Sequence, residues 1–304
     1  MAAITSPVPH RRPWRRRAER WIPGYLFAGP VIIWFFVFNF IPITVGLVLS
    51  FFQWDILNPP QPVGLANYVT LINDELFWIA MGNTLYYAVA SVFLTAAISL
   101  GLALALNQRL RLIAVYRTIF FLPAVTSIVA VSMVWRWLYN TDYGIINFFL
   151  SLFGIWPLNW LGEPTLAMPA VILMSVWRSA GFNTIIFLAG LQGVPQEYYE
   201  ASSLDGAGPW ARFRHITLPL LSPSTFFVVI TGLINSWQVF DQVYAMTRGG
   251  PLFATTTVVY LVYSNAFEWN KAGYASAMAY VLFVVIMLFT LLQFLMQKRW
   301  VHYS

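Results

Sequence analysis

The feature that most constrains this chain is the recurrence of apolar runs, each with at most one charge, about as long as a bilayer is thick. A helix needs about 20 apolar residues to cross the hydrocarbon layer. Runs of that kind fall near 24–52, 81–106, 118–139, 167–191, 218–240 and 273–297. Backbone in lipid must satisfy its own N–H and C=O groups, which leaves helices and closed barrels. The runs are too long for barrel strands, so the predicted fold class is all-α integral membrane, with about six transmembrane helices. Only 9% of the residues are charged, against about 25% in soluble domains. So few charges cannot clothe a soluble core. The organisation expected is a basic tail over 1–22 followed by one membrane domain over 23–304.

The positive charges are distributed asymmetrically. Arg11, Arg12, Arg15, Arg16, Arg17 and Arg20 precede the first run. If six helices cross, Arg109, Arg111, Arg117, Arg212, Arg214, Lys298 and Arg299 fall on the same side as that cluster, whereas the opposite loops carry only Arg248 and Lys271. Cytoplasmic loops hold the excess of Lys and Arg, so both termini are expected in the cytoplasm of a multi-pass cell-membrane protein. The net charge of +6 is accounted for in this way, without nucleic acid. The first run is too long for a signal peptide and no Ala-x-Ala site follows it, so it reads as an uncleaved span. Two further uncharged runs, 143–162 and 249–267, contain Pro and Asn or Thr and read as interfacial or loop segments on the outer face, with Trp156 and Trp160 in an aromatic belt. The outer loop 53–79 carries Asp55, Asp74 and Glu75 and no basic residue, a candidate docking surface.

With no cysteine in the chain, thiolate catalysis and zinc–thiolate sites are excluded. The histidines are His10, His215 and His302, all outside the runs, and no H-E-x-x-H spacing occurs, so no metal site is expected. The lysines, Lys271 and Lys298, are followed by Ala272 and Arg299. A phosphate-binding loop needs Lys followed by Ser or Thr after a Gly-rich turn, so no ATPase site is expected in this chain.

The segment 193–219, on the positive side between the fourth and fifth runs, is the most specific. Pro195 suits the first turn of a helix, and residues 195–204 have helical length. Asp205-Gly206 ends that helix, because Gly accepts backbone angles other residues avoid. Gly208-Pro209 starts another. A helix–turn–helix between two spans is available to fit a partner's groove. It contains Glu200-Ala201-Ser202, then Gly206 and then Ile216-Thr217-Leu218-Pro219. In this spacing the segment resembles the EAA loop of binding-protein-dependent ABC importer permeases, with Ser202 in place of the second Ala. Tyr116-Arg117-Thr118-Ile119-Phe120-Phe121-Leu122-Pro123, Ser236-Trp237-Gln238-Val239-Phe240-Asp241 and Thr247-Arg248-Gly249-Gly250-Pro251 resemble the carbohydrate branch, the maltose- and glycerol-phosphate-type permeases.

The resemblance implies the type I importer permease fold. It also implies that Glu200, Ala201, Ser202, Asp205, Gly206, Ile216, Leu218 and Pro219 belong to a coupling loop seated on an ATPase. The implied partners are two ATPase subunits carrying ATP and Mg, a second and different permease, and an extracytoplasmic solute-binding protein.

Polar groups inside a span are costly and point to function. Ser175, Arg178, Ser179 and Phe182 recur at i, i+3, i+4 and i+7, on one helical face, with Asn183 beside them. Asn235, Gln238 and Asp241 keep three-residue spacing, with Trp237 one turn before Asp241, and Thr126 and Ser127 lie in the third run. Amides, a guanidinium, a carboxylate and aromatic rings are the groups that bind sugar hydroxyls and sugar C–H faces. Packing between helices and an Arg178–Asp241 ion pair are the plainer readings. A polyol or glycerol-phosphate importer is the alternative solute class. A stand-alone secondary transporter would need more acidic groups at midplane than Asp241.

Overall fold

Prolines stand at both breaks in the apolar runs, although Pro30, Pro42 and Pro169 lie inside runs that stay continuous. The computed structural model describes residues 13–108 and 112–301, with backbone alone at 13–20, 22 and 23. Arg11, Arg12, Arg109, Arg111, His10 and His302, and the side chains of Arg15, Arg16, Arg17 and Arg20, lie outside the described residues.

The chain opens with α1 (Pro13–Phe35), which passes through a π turn at Phe36–Phe40 into α2 (Ile41–Leu49). The wider turn sits just ahead of Pro42, which has no N–H to give the ladder. Short strands β1 (Phe52–Gln53) and β2 (Gln61–Pro62) pair antiparallel, and α3 (Ala66–Ile72) follows. Helix α4 (Glu75–Leu106) contains no proline; Asp74 caps it, accepting from the Leu76 and Phe77 amides at 3.0 and 3.4 Å. Next come α5 (Ile113–Val125), α6 (Ile128–Leu138), α7 (Ile145–Ser151) and the long α8 (Pro164–Gln192). Helices α9 (Gln196–Leu204), α10 (Pro209–Arg212), α11 (Leu218–Leu220), α12 (Ser222–Trp237), α13 (Asp241–Met246), α14 (Val258–Tyr263) and α15 (Ala272–Trp300) complete the chain.

Among the described residues, four stretches are long and apolar enough to cross a bilayer unbroken: Gly24–Leu49, α4, α8 and α15. The predicted third and fifth spans are each broken. Helices α5 and α6 meet at 100°, and Pro209–Leu220 meets α12 at 62°. Pro123 weakens the end of α5 and Thr126 is extended (φ −80°, ψ 152°); Pro219 and Pro223 flank the second bend. Counting each bent pair once gives six spans. The first span ends at Leu49 rather than at 52, because the chain there turns into β1. The fifth ends at Trp237 rather than at 240. Pro195 lies just outside α9, as its N-cap, rather than within the first turn.

Helices α4 and α8 run side by side in the centre. Ser99 Oγ donates to the Ala180 carbonyl at 2.9 Å. A Cβ on Gly181 would run into the Phe120 carbonyl of α5. Small residues allow such backbone approach where lipid gives helices no hydrophobic reason to associate.

The two uncertain runs resolve differently. In 143–162, α7 is too short to cross. Its Asn147 binds the Leu158 amide at 3.1 Å and Trp160 Nε1 at 3.0 Å, and Trp160 packs on Tyr139 with ring centroids 5.4 Å apart. Trp160 is therefore a packing residue rather than a belt residue, whereas Trp156 is exposed. The run 249–267 is packed into the bundle instead of lying on its surface. The Thr255, Thr256 and Thr257 hydroxyls donate to the carbonyls of Gly250, Gly249 and Val239 at 2.6, 2.9 and 3.0 Å. Asn83 of α4 donates to the Phe253 and Thr256 carbonyls at 2.8 and 3.0 Å. A buried loop needs every such partner.

Candidate functional site

A cavity of about 800 Å³ opens midway along α4 and α8, walled by α4, α5, α8, α12 and the 238–242 segment. Helix α8 contributes Ser175, Arg178, Ser179, Phe182 and Asn183, the full stripe predicted from helical spacing. Asn235, Gln238 and Asp241 also reach the cavity, but not as one helical stripe. Helix α12 stops at Trp237, and α13 starts at Asp241 in a new direction. The helix break itself brings these three side chains to the wall.

Trp237 does not line the cavity. It is 2% exposed and faces the opposite way, its ring 5.3 Å from that of Phe289 in α15. The indole packs into the α4–α15 core instead. Phe240 takes the aromatic place at the wall. Thr126 and Ser127 lie in the α5–α6 break rather than on the wall; Ala124, Val125 and Ile128 line it there.

Arg178 makes no ion pair with Asp241. Its Nη2 points to the carbonyls of Ala124 and Thr126 at 3.5 and 3.4 Å, and its Nε is buried without a partner. These carbonyls belong to the C-terminal end of α5, the negative end of its dipole. Arg178 thus reaches across from α8 to cap the broken span.

Several polar wall residues escaped the sequence reading, among them Tyr87, Ser91, Ser236 and Gln242. Gln242 Nε2 donates to Tyr87 Oη at 2.7 Å and lies 3.4 Å from Ser175 Oγ. The three tie α13, α4 and α8 together at the cavity wall. Ser91 and Ser236 add a second link between α4 and α12 at 3.2 Å. The signal available was polar residues within apolar runs; their pairing across more than a hundred positions had none.

The segment 193–219 forms the predicted helix–turn–helix, with Gly206 at φ 77° in the turn. Glu200, Ala201, Asp205 and Gly206 are exposed, Leu204 is 90% exposed and Trp210 69%. Ser202 is partly covered, and its hydroxyl donates to the Tyr199 carbonyl at 2.9 Å. Arg212 Nε donates to the Ala207 carbonyl at 2.8 Å, and Tyr199 Oη meets Thr217 Oγ1 at 3.0 Å. These contacts pin α9 to the segment that leads into α12. Ile216, Leu218 and Pro219 lie in that segment, partly buried, and form the joint rather than the exposed face. Tyr199 and Arg212 were not among the predicted residues.

In the 53–79 loop, two of the three acids are already engaged within the chain. Asp55 binds Asn58, and Asp74 accepts from Tyr274 Oη at 2.6 Å besides capping α4.

Comparison with known proteins places this geometry. Residues 97–302 match the family described as Binding-protein-dependent transport system inner membrane component. The chain is 39% identical to the probable ABC transporter permease protein YesP of Bacillus subtilis, covering 93% of each chain. It is 36% identical to the trehalose/maltose transport system permease protein MalF of Thermococcus litoralis, over 88% of this chain and 91% of that one. Among solved structures it resembles a chain of a bacterial alginate ABC transporter crystallised with its alginate pentasaccharide-bound periplasmic protein. The TM-score is 0.82 at 26% identity, covering 95% of this chain and 98% of the other.

Proposed function

The chain belongs to the family of binding-protein-dependent transport system inner membrane components, the permease subunits of ABC importers, and from that premise we propose that it forms half of a translocation pathway for a neutral sugar. One observation carries the reading: two of the helices that wall the cavity, α8 and α12, are the two that flank the exposed helix–turn–helix. A force applied to α9 is thereby delivered to the residues that face the solute.

Glu200, Ala201, Ser202, Asp205 and Gly206 seat the loop on an ATPase subunit, and Ile216, Leu218 and Pro219 transmit its movement to α12. ATP and Mg bind to two such subunits, not to this chain. A second, different permease closes the open side of the cavity, and an extracytoplasmic binding protein delivers solute at the end opposite α9. Both termini lie in the cytoplasm.

The solute contacts fall to Ser175, Arg178, Ser179, Phe182, Asn183, Asn235, Gln238 and Asp241. Hydroxyls and amides make up most of the polar part of this wall, beside apolar and aromatic side chains, as suits a ligand that presents both hydroxyls and C–H faces. A phosphate would call for several cations, and among the described residues Arg178 is the one cationic side chain on the cavity wall. A neutral sugar therefore fits better than a glycerol phosphate.

The test begins with purification of the tagged chain from its own membrane in mild detergent. An ATPase subunit and a second permease are expected with it. The complex is reconstituted with its binding protein, and ATP hydrolysis is measured against a panel of mono-, di- and trisaccharides, glycerol 3-phosphate and polyols. Stimulation by a sugar supports the reading. Purification alone, with transport that needs no ATP, overturns it.

A further inference from the structure

Five aromatic rings continue the cavity wall toward the end of the molecule opposite α9. Phe240 lines the cavity. Its ring lies 5.4 Å from Tyr244, 6.4 Å from Tyr260 and 5.0 Å from Tyr263; Tyr263 in turn lies 5.4 Å from Phe267. Tyr244 closes the group, 5.4 Å from Tyr263. The run therefore reaches without a gap from a cavity ring to Phe267, which is 68% exposed.

The rings lie on the less buried face of both elements that carry them. On α13, Asp241 and Tyr244 stand out one turn apart while Gln242, Val243, Ala245 and Met246 are buried. On α14 and the π turn after it (Ser264–Glu268), Tyr260, Tyr263 and Phe267 share one face, and Val258, Leu261, Ser264 and Asn265 are buried on the other. A core cluster of aromatics would be covered; this one grades from partly buried at Phe240 to open at Phe267. Three of the five rings carry a hydroxyl. A flat apolar face with a polar edge is the surface a pyranose ring matches, since its C–H face is apolar and its rim is hydroxylated.

The end where the run emerges is fixed by its neighbours. Soon after Phe267 the chain enters α15, where the Gly273 amide donates to the Trp54 carbonyl at 3.2 Å and Tyr274 bonds to Asp74 at the start of α4. That end is the one remote from α9.

We propose that Phe240, Tyr244, Tyr260, Tyr263 and Phe267 form a stacking track for the successive rings of an oligosaccharide entering the cavity. The inference rests on the sugar reading above and deepens it: the solute is a chain of two or more pyranose units rather than a monosaccharide. One unit occupies the polar cavity while the next lies on Tyr244 and Tyr263.

The experiment uses the reconstituted complex with its binding protein and the longest and shortest sugars that stimulate it in the panel above. Tyr263→Leu and Tyr244→Leu keep apolar bulk and remove the ring. The expected result is an increase of about two- to tenfold in the uptake KM of the longest sugar, a smaller increase for the shortest, and an unchanged yield of intact complex. Tyr263→Phe should restore most of the loss, because the ring face is retained. Equal KM values for wild type and both Leu variants overturn the track. So does loss of the second permease from the purified variants, which would make the rings a packing interface. A panel in which only monosaccharides stimulate overturns the track and leaves the sugar reading standing. A panel in which no sugar stimulates removes the sugar reading and the track with it.

Discussion

Arg178 is the residue at which cavity and fold meet. A guanidinium in the membrane layer costs a few kcal/mol unless it is engaged, and here it is held by the carbonyls that the α5 break leaves without helical donors. One nitrogen, Nη2, reaches both acceptors, and a lysine ammonium, shorter in reach and more strongly hydrated, would hold them less well. Arg178→Ala is therefore expected to raise the uptake KM by about tenfold, with Arg178→Lys intermediate and the ATPase subunits still attached. Equal uptake by all three proteins would remove Arg178 from the site. Three positions on, Gly181 touches the Phe120 backbone so closely that even a methyl group has no room. Gly181→Ala should force α5 and α8 apart, lowering the thermal stability of the purified complex by about 1–3 kcal/mol. An unchanged melting temperature would show that the two helices slide freely there.

At the scale of the element, α9 is an exposed lever pinned at its turn. The space around Gly206 is open, so what fixes the residue is its backbone at φ 77°. Gly206→Asn should be tolerated, since Asn adopts left-handed angles at low cost. Gly206→Trp should uncouple, leaving ATP hydrolysis that no longer drives uptake. Wild-type uptake by Gly206→Trp would sink the coupling assignment. The helix–turn–helix was legible because its signals are local: Asp205-Gly206, Gly208-Pro209 and a fixed spacing. The α8 stripe was legible for the same reason, as one unbroken helix keeps its 3.6 period. The breaks in the third and fifth spans were not. Membrane helices tolerate proline when neighbours satisfy the freed groups, so Pro123 and Pro219 do not announce whether the helix kinks or turns through 100°. Once α12 ended at Trp237, the period that put Trp237, Gln238 and Asp241 on related faces no longer applied. Packing of 249–267 depends on Asn83 and Thr84, far away in sequence, and no local pattern contains that.

The whole molecule has one end tied together and the other free. At the end remote from α9, Asp74 joins Tyr274, Trp54 joins Gly273, and Tyr280 Oη bonds the Ile43 carbonyl, so α2, β1, α4 and α15 are mutually fixed. Tyr274→Phe should loosen this end and cost about 1 kcal/mol in thermal stability, with coupling intact. At the other end, α9 stands away from the bundle, held through Arg212 and Tyr199. From that loop to the cavity, α8 is one uninterrupted helix ending at Gln192. A packed helix moves as a body or not at all, so displacement of α9 should carry the α8 stripe with it. The chain has no cysteine, so a paired label at Ile185→Cys and Ser203→Cys, attached before assembly with the other subunits, has no background from this chain. Ile185 is exposed and off the cavity wall, so the label does not enter the site. In the reconstituted complex the distance between the two labels should stay constant as ATP binds and is hydrolysed, while a label at Ser203 moves relative to one on the ATPase. If the intramolecular distance changes instead, α9 hinges on its own, and the path from ATPase to cavity must run through α12 and its 62° bend rather than through the straight helix.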